Sequence, residues 1–399
     1  MDSILREAAL ADRTGTDSLK WDALSDTFGR EDVLPLWVAD MDFKTPLCVR
    51  EALHRAVDHG AFGYYKIPRR FYDSILRWEE TRHGTRWQRE WIRTAGGVVS
   101  GLYHLVRAIT EPGDGILLLT PVYYPFFRVV RGTGRRLVCC PIHEEQGVYS
   151  LDMDRFERTI REENVRFFLL CSPHNPVGRV WTREELAAML DCCRRYGVQV
   201  ISDEIHHDLI LPGHAHISAA SLWEGEGKPV TIFSASKTFN LAGMKCSVVM
   251  IPDKSLRQKY DDHETALGVG ECSTLDYVAV TAAYEGGGDW LDAVLREVRG
   301  NETIIREALA PYPVAVSPLE GTYLLWLDLA QVVPSDRLRR FVLDTCRIAP
   351  DLGSWFYPKG GETGAHIRLN LAAPSAVIRQ AADRLTQGIG SALSGSRSE

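Results

Sequence analysis

The sequence predicts an α/β fold, a largely parallel sheet covered by helices on both faces, together with a smaller α+β unit. Two observations predict it. From about residue 90 to 250, short and nearly continuous apolar runs alternate with amphipathic stretches, the pattern of strands buried on both faces and joined by helical crossovers. Beyond that region the pattern changes to long helical stretches that lead into two isolated strand candidates.

The strand candidates of the first region are Gly115–Leu119, Arg136–Pro141, Val165–Cys171, Val198–Ser202, Val230–Ser234 and Cys246–Ile251, with helical patterns such as Asp152–Arg161 and Arg183–Arg195 between them. Gly60, Gly84 and Gly197 each follow a helical run, where a left-handed C-terminal cap favours glycine. In the tail, Leu256–Leu267, Asp276–Tyr284 and Trp290–Leu309 read as helices, and Gly321–Leu329 and His366–Ala372 as strands of the smaller unit, closed by a final helix. With no internal repeat and no low-complexity linker, the two units are expected to pack tightly.

Composition narrows the function. A chain of 399 residues, 45% hydrophobic and 25% charged, has enough surface to bury a real core in about two domains. Its formal net charge of −7 argues against a nucleic-acid partner, which selects a basic face. The opening MDSILREAALADRTGTD mixes charges and lacks the apolar run of a signal peptide, and no apolar stretch approaches the ~20 residues of a membrane span. A soluble protein with no membrane partner is expected. The nine cysteines are odd in number and contain no C-x-x-C pair, and several lie in apolar runs (FFLLCSP, RLVCCPI), where a thiol is a small hydrophobe. That usage fits a reducing cytoplasm, and no thiol reads as catalytic.

Five segments carry candidate chemistry. In SASKTFNLAGMK a strand ends in small polar residues, then Lys237, then a loop with Lys245. A partly desolvated lysine at a strand end can be neutral and nucleophilic, and Ser234, Ser236 and Lys245 are the donors a phosphate needs. In QVISDEIHHDL, Asp203 follows an apolar strand and so stands at the carboxyl end of the sheet, where α/β folds bind ligands. A carboxylate there can keep a pyridine nitrogen protonated. Locally, however, Asp203, Glu204, His206, His207 and Asp208, followed by His214 and His216, are also ligand types for a metal site, and a solvated polar turn is the commoner meaning of such a run. In LLCSPHNPVGR two prolines pin Asn175, with scope for a cis bond; in TPVYYPFF, Tyr123 follows a strand and could stack on a flat ring; in TAGGVVSGLYHLV, glycines precede a helix whose first N–H groups could cradle phosphate. Each taken alone is equally a common turn or a core aromatic.

In their order along the chain, ending in HIRLN with Arg368, the five segments resemble the fold-type I pyridoxal-5′-phosphate (PLP) enzymes of the aspartate aminotransferase superfamily, class I/II. RTGTDSLKWD, LPLWVADMDF, FGYYKIP, ISDEIHHDL, SASKTFNLAG and GTYLLWLDL extend the likeness to the MalY/PatB group of cystathionine β-lyase-like C–S lyases, over almost the whole chain. The resemblance implies a large domain built on a mostly parallel seven-stranded sheet (residues 46–288) and a small α+β domain made of residues 1–45 and 289–399. It implies Lys237 as Schiff-base lysine and proton shuttle, Asp203 as partner of the pyridinium nitrogen, and Tyr123 as the stacking aromatic, these three being the catalytic set. Asn175 and His206 approach the phenolic oxygen; the backbone of Val98 and Val99, with Ser234, Ser236 and Lys245, holds the phosphate. Tyr64 reaches the partner's phosphate across a homodimer, and Arg368, Asn175 and Ala39 contact the substrate. No metal is expected, and His207 and Asp208 become structural or solvated residues.

The subgroup implies β-elimination from an L-cysteine S-conjugate to a thiol, pyruvate and ammonia. The same residues serve an aminotransferase, or a decarboxylating or oxidative PLP reaction on a cysteine-conjugated metabolite. A non-catalytic regulatory module is disfavoured because Lys237 is kept. Two departures from the family pattern stand out: Gly96 in place of a proline before the phosphate turn, and Asp351–Asn370, where His366 replaces a large apolar residue. With that wall expected to face the substrate, the expected substrate is bulkier or more polar than cystathionine.

Overall fold

The computed structural model describes residues 4–5, 11–269, 272–359 and 364–395. Its centre is a seven-stranded sheet of β1 (Ile92–Ala95), β2 (Gly115–Thr120), β3 (Arg136–Pro141), β4 (Val165–Cys171), β5 (Gln199–Asp203), β6 (Val230–Phe233) and β7 (Ser247–Met250), in the order β1-β7-β6-β5-β4-β2-β3. The strands from β6 to β3 run parallel, while β7 is antiparallel to both of its neighbours. Alternation along the strands divides the core: Ile116 and Leu118 face a layer with Leu105, Phe126 and Ile232, and Leu117 and Leu119 face a second with Phe168, Trp181 and Leu190. Both faces of β2 are therefore dry, which is why its run reads as continuously apolar.

The expected strands form, with shifted ends. Val198 stays outside β5 because its N–H closes the turn at Gly197, bonding the Cys193 carbonyl. Ser234 leaves β6 to cap the short Ala235–Thr238 helix with its hydroxyl. Strand β1 was missed: four residues with an arginine among them give too little apolar signal.

The smaller sheet joins β8 (Ala315–Val316), β9 (Leu324–Asp328), β10 (Asp351–Leu352) and β11 (His366–Asn370) in the antiparallel order β8-β9-β11-β10. Strand β9 starts later than expected because Thr322 takes a φ of 69° and bonds back to the Leu209 carbonyl at 2.6 Å. The N-terminal segment reaches this part of the chain. Leu34–Pro35 pairs in parallel with Ile348–Ala349, and the Asn370 side chain donates to the carbonyls of Val38 and Asp40, both at 2.6 Å. Residues 36–42 are thereby strapped across the junction of the two sheets. At its end, Asp42 forms a buried ion pair with Lys20, at 2.7 Å.

Gly353 lies against β11 so closely that a Cβ there falls 2.7 Å from the His366 carbonyl oxygen and 2.6 Å from the His366 Cβ. Backbone atoms cannot yield as a side-chain end can. Gly353→Ala is expected to destabilise the protein by about 1–3 kcal/mol, the usual cost of overpacking, read as a shifted midpoint in urea denaturation.

Candidate active site

The carboxyl ends of the parallel strands and the strap enclose a cavity of about 320 Å³. Its lining includes Ala39, Val98, Val99, Tyr123, Asn175, Asp203, His206, Ser236, Lys237 and Lys245, ten of the residues expected from sequence. Asp203 ends β5, where the chain turns sharply and the Ile205 N–H bonds its Oδ1 at 3.0 Å. Lys237 sits in the short helix that follows β6. Its Nζ donates to the Ala39 carbonyl at 2.6 Å, and the Tyr323 hydroxyl donates to the same oxygen at 2.9 Å. Asn175 is held between two cis prolyl bonds, Ser172–Pro173 and Asn175–Pro176.

Burial sets the electrostatics. It lowers the Lys237 ammonium to about 8; Asp40 and Asp203 favour the charged form, and Arg368 opposes it. Burial also pushes the Asp203 carboxyl up to about 7, against the pull of the Ile205 N–H. His206 is driven well below the usual imidazole range, first by burial and then by the nearby Lys237 and Arg368 charges, and its Nδ1 has no hydrogen-bond partner. The cavity thus holds an amine inclined to neutrality, a carboxylate lacking a cation and an orphaned imidazole nitrogen.

At the other end, Gly97 takes a φ of 100°, so the Val98–Ile109 helix starts with its free N–H groups turned to the cavity beside Ser236 and Lys245. Anion donors at one end, a carboxylate suited to a pyridinium at the other and an amine between fit pyridoxal phosphate. Ser234 departs from expectation. Its hydroxyl donates to the Cys246 carbonyl at 2.6 Å and accepts from the Ser236 N–H, and it does not line the cavity. With its proton on the Cys246 carbonyl, Ser234 has none left for a phosphate.

Arg368 is buried at the cavity's edge, where it donates to Asn175 Oδ1 at 2.8 Å and forms a close ion pair with Asp351, its cross-strand neighbour. Its guanidinium lies over the Phe356 ring, 4.8 Å from the centroid. Burial keeps the Asp351 carboxyl up at about 6 even beside that arginine. Sequence reasoning missed Asp351, and also Tyr323 and the cavity-lining Cys171, whose places depend on how separate segments pack together. The expectation for His366 is corrected. It stacks on Trp326, ring centroids 5.1 Å apart and planes 11° apart, and is absent from the cavity lining, because β11 directs it into the gap beside Tyr149. Residues 360–363 of the same stretch lie outside the described residues. Tyr64 is fully exposed and does not line its own chain's cavity.

A depressed Lys237 makes a distinct signature. Aldehyde labelling of Lys237, trapped by borohydride and located by mass spectrometry, is expected to rise with pH and level off above about 8. Ordinary lysines keep gaining reactivity to about pH 10.4.

Residues 31–385 match the family model of class I and II aminotransferases. The chain is 38% identical over 379 residues to cystathionine beta-lyase PatB of Bacillus subtilis, with 94% of this chain and 97% of the relative covered. It is 32% identical over 388 residues to protein MalY of Escherichia coli, covering 95% and 97%. Among solved structures it superposes on cystalysin from Treponema denticola, which contains a pyridoxal 5′-phosphate cofactor, with a TM-score of 0.90 at 33% identity over 96% of this chain and 98% of that one. With its fold, its lysine–carboxylate cavity and this full-length likeness in agreement, the chain belongs to the class I and II aminotransferase family.

Proposed function

We propose that the protein is a PLP-dependent carbon–sulfur β-lyase that cleaves an L-cysteine S-conjugate, cystathionine-like or bulkier, to a thiol, pyruvate and ammonia. One observation carries the reading: Lys237 and Asp203 open onto a single cavity in a chain alike to a cystathionine β-lyase along nearly its whole length. Bound in that cavity, the cofactor supplies an electron sink for the pair released when the Cα–H bond breaks.

The chain's own groups do the rest. Asp203 would keep the ring nitrogen protonated, Asn175 and His206 would hold the ring's oxygen, and Tyr123 would stack on the ring. Val98, Val99, Ser236 and Lys245 would hold the phosphate. Arg368 turns its planar donors to the substrate α-carboxylate, beside Asn175 and the Ala39 backbone, which fixes the Cα–H bond toward Lys237. The Lys237 Nζ, whose hold on a proton burial weakens to about 8, takes that proton in its neutral form. Sulfur then leaves Cβ as thiolate, and addition of water to the remaining three-carbon unit gives pyruvate and ammonia.

The same reading takes residues 46–288 as the cofactor-binding domain and residues 1–45 with 289–399 as the small domain, supported by the pairing of Leu34–Pro35 with Ile348–Ala349. It also makes the protein a homodimer. Phe62 and Tyr64 are exposed on one loop, and Tyr64 reaches the partner's phosphate. A cytoplasmic site fits the nine free cysteines and the absence, among the described residues, of any helix long and apolar enough to cross a membrane.

Mixing the PLP-loaded protein with a cysteine S-conjugate and no 2-oxo acid is expected to give steady pyruvate, ammonia and thiol. A single burst rescued by a 2-oxo acid identifies an aminotransferase instead. Asp203→Asn is expected to lower kcat/KM by the equivalent of about 3–5 kcal/mol with the cofactor still bound, since one partner of a buried ion pair is lost. Tyr64→Ala is expected to weaken cofactor retention without dissolving the dimer, measured by dialysis and sedimentation.

A further inference from the structure

Behind the sheet end, away from the cofactor cavity, lies a cluster of ligand-type side chains that the lyase reading does not use. Glu79 and His83 stand one turn apart on the Arg69–His83 helix, so both side chains meet the loop that follows β5. That loop brings His207, and one donor atom from each of Glu79, His83 and His207 lies within 4.8 Å of the other two. We infer that these three residues form a binding site for one divalent transition-metal ion of the zinc class.

The outer contacts have the form such a site requires. Metal-bound imidazoles commonly donate their second nitrogen to a carboxylate or a carbonyl, which fixes tautomer and orientation. The His207 Nδ1 lies 2.7 Å from the Glu204 carbonyl, leaving Nε2 to face Glu79 at 2.9 Å. The His83 Nε2 lies 2.8 Å from Asp208 Oδ1, leaving its Nδ1 for a metal. Glu79 is oriented in turn by the Trp87 indole N–H on its second oxygen, at 3.2 Å. Two imidazoles and one carboxylate are a zinc ligand set that leaves a position open. A cleft of about 500 Å³ beside the cluster, lined by His83, His207, His214 and His216, gives an entry path and room for a water ligand. The His216 Nδ1 is buried there with no hydrogen-bond partner.

Charge favours a cation. The His207 Nε2 lies 2.9 Å from Glu79 Oε1 and 3.7 Å from Asp208 Oδ2, so two buried carboxylates face the position a dication would take. Binding there displaces any proton on the imidazole. Closing to zinc distances of about 2.0–2.2 Å draws the three donors together by small side-chain rotations. The site also reaches the catalytic turn: Asp208, which orients His83, accepts the Thr238 hydroxyl at 2.8 Å, next in sequence to Lys237. An ion here braces the lysine-bearing helix from behind without touching substrate.

The test is zinc titration of the chelator-treated, PLP-loaded protein by calorimetry, with thermal melting in parallel. One ion per chain and a raised Tm are expected, with affinity more than about tenfold weaker in both His207→Gln and Glu79→Gln. No binding by the wild type, or variants that bind as the wild type does, overturns the assignment; the latter places the ion elsewhere, for instance on a cysteine. Should either variant fail to fold, anomalous scattering from zinc-soaked wild-type crystals decides by whether the peak lies between Glu79, His83 and His207.

Discussion

Everything in the catalytic cavity depends on keeping an amine and a carboxylate out of water and out of contact with each other. Left to themselves, Lys237 and Asp203 would pair, and a pair would hold both charges fixed. The fold prevents this by giving each a different local partner: the Ala39 carbonyl for the amine and the Ile205 N–H for the carboxylate. Burial then moves both toward neutrality, one to about 8 and the other to about 7. Two groups poised in this way can take up a ligand that offers an aldehyde to one and a basic nitrogen to the other.

That separation is a property of the whole scaffold. The carboxylate comes from the end of a strand buried on both faces, the amine from a helix capped by Ser234, and the carbonyl from a strap that belongs to the opposite end of the chain. Arg368 adds the next constraint. Its place between Asn175 and Asp351 joins the small sheet to the large one at the point where the substrate carboxylate is expected.

Much of this was legible in the sequence because the strands of the large sheet announce themselves as dry apolar runs and the chemistry follows directly at their ends. Asp203, Asn175 and Lys237 each come within a few residues of such a run, so a strand prediction also predicts their positions. What escaped was relational. Ser234 looks like a phosphate donor until its partner, the Cys246 carbonyl on the adjacent strand, is known. Asp351 is one acidic residue among many until β10 is paired with β11 and sets it opposite Arg368. His366 shares a strand with Arg368, yet its stacking on Trp326 depends on the register between β9 and β11, which no single segment encodes. Strand β1 was lost for a simpler reason: it is too short and too polar to be periodic.

The strap over residues 36–42 has a consequence for how the protein comes into being. The carbonyl that steadies Lys237 is anchored by Asn370, so a group encoded near the start of the chain waits on one encoded near the end. During synthesis the large sheet can be complete while its lysine still lacks that steadying contact. The setting that steadies the amine is therefore complete only once the strand that carries Asn370 is in place.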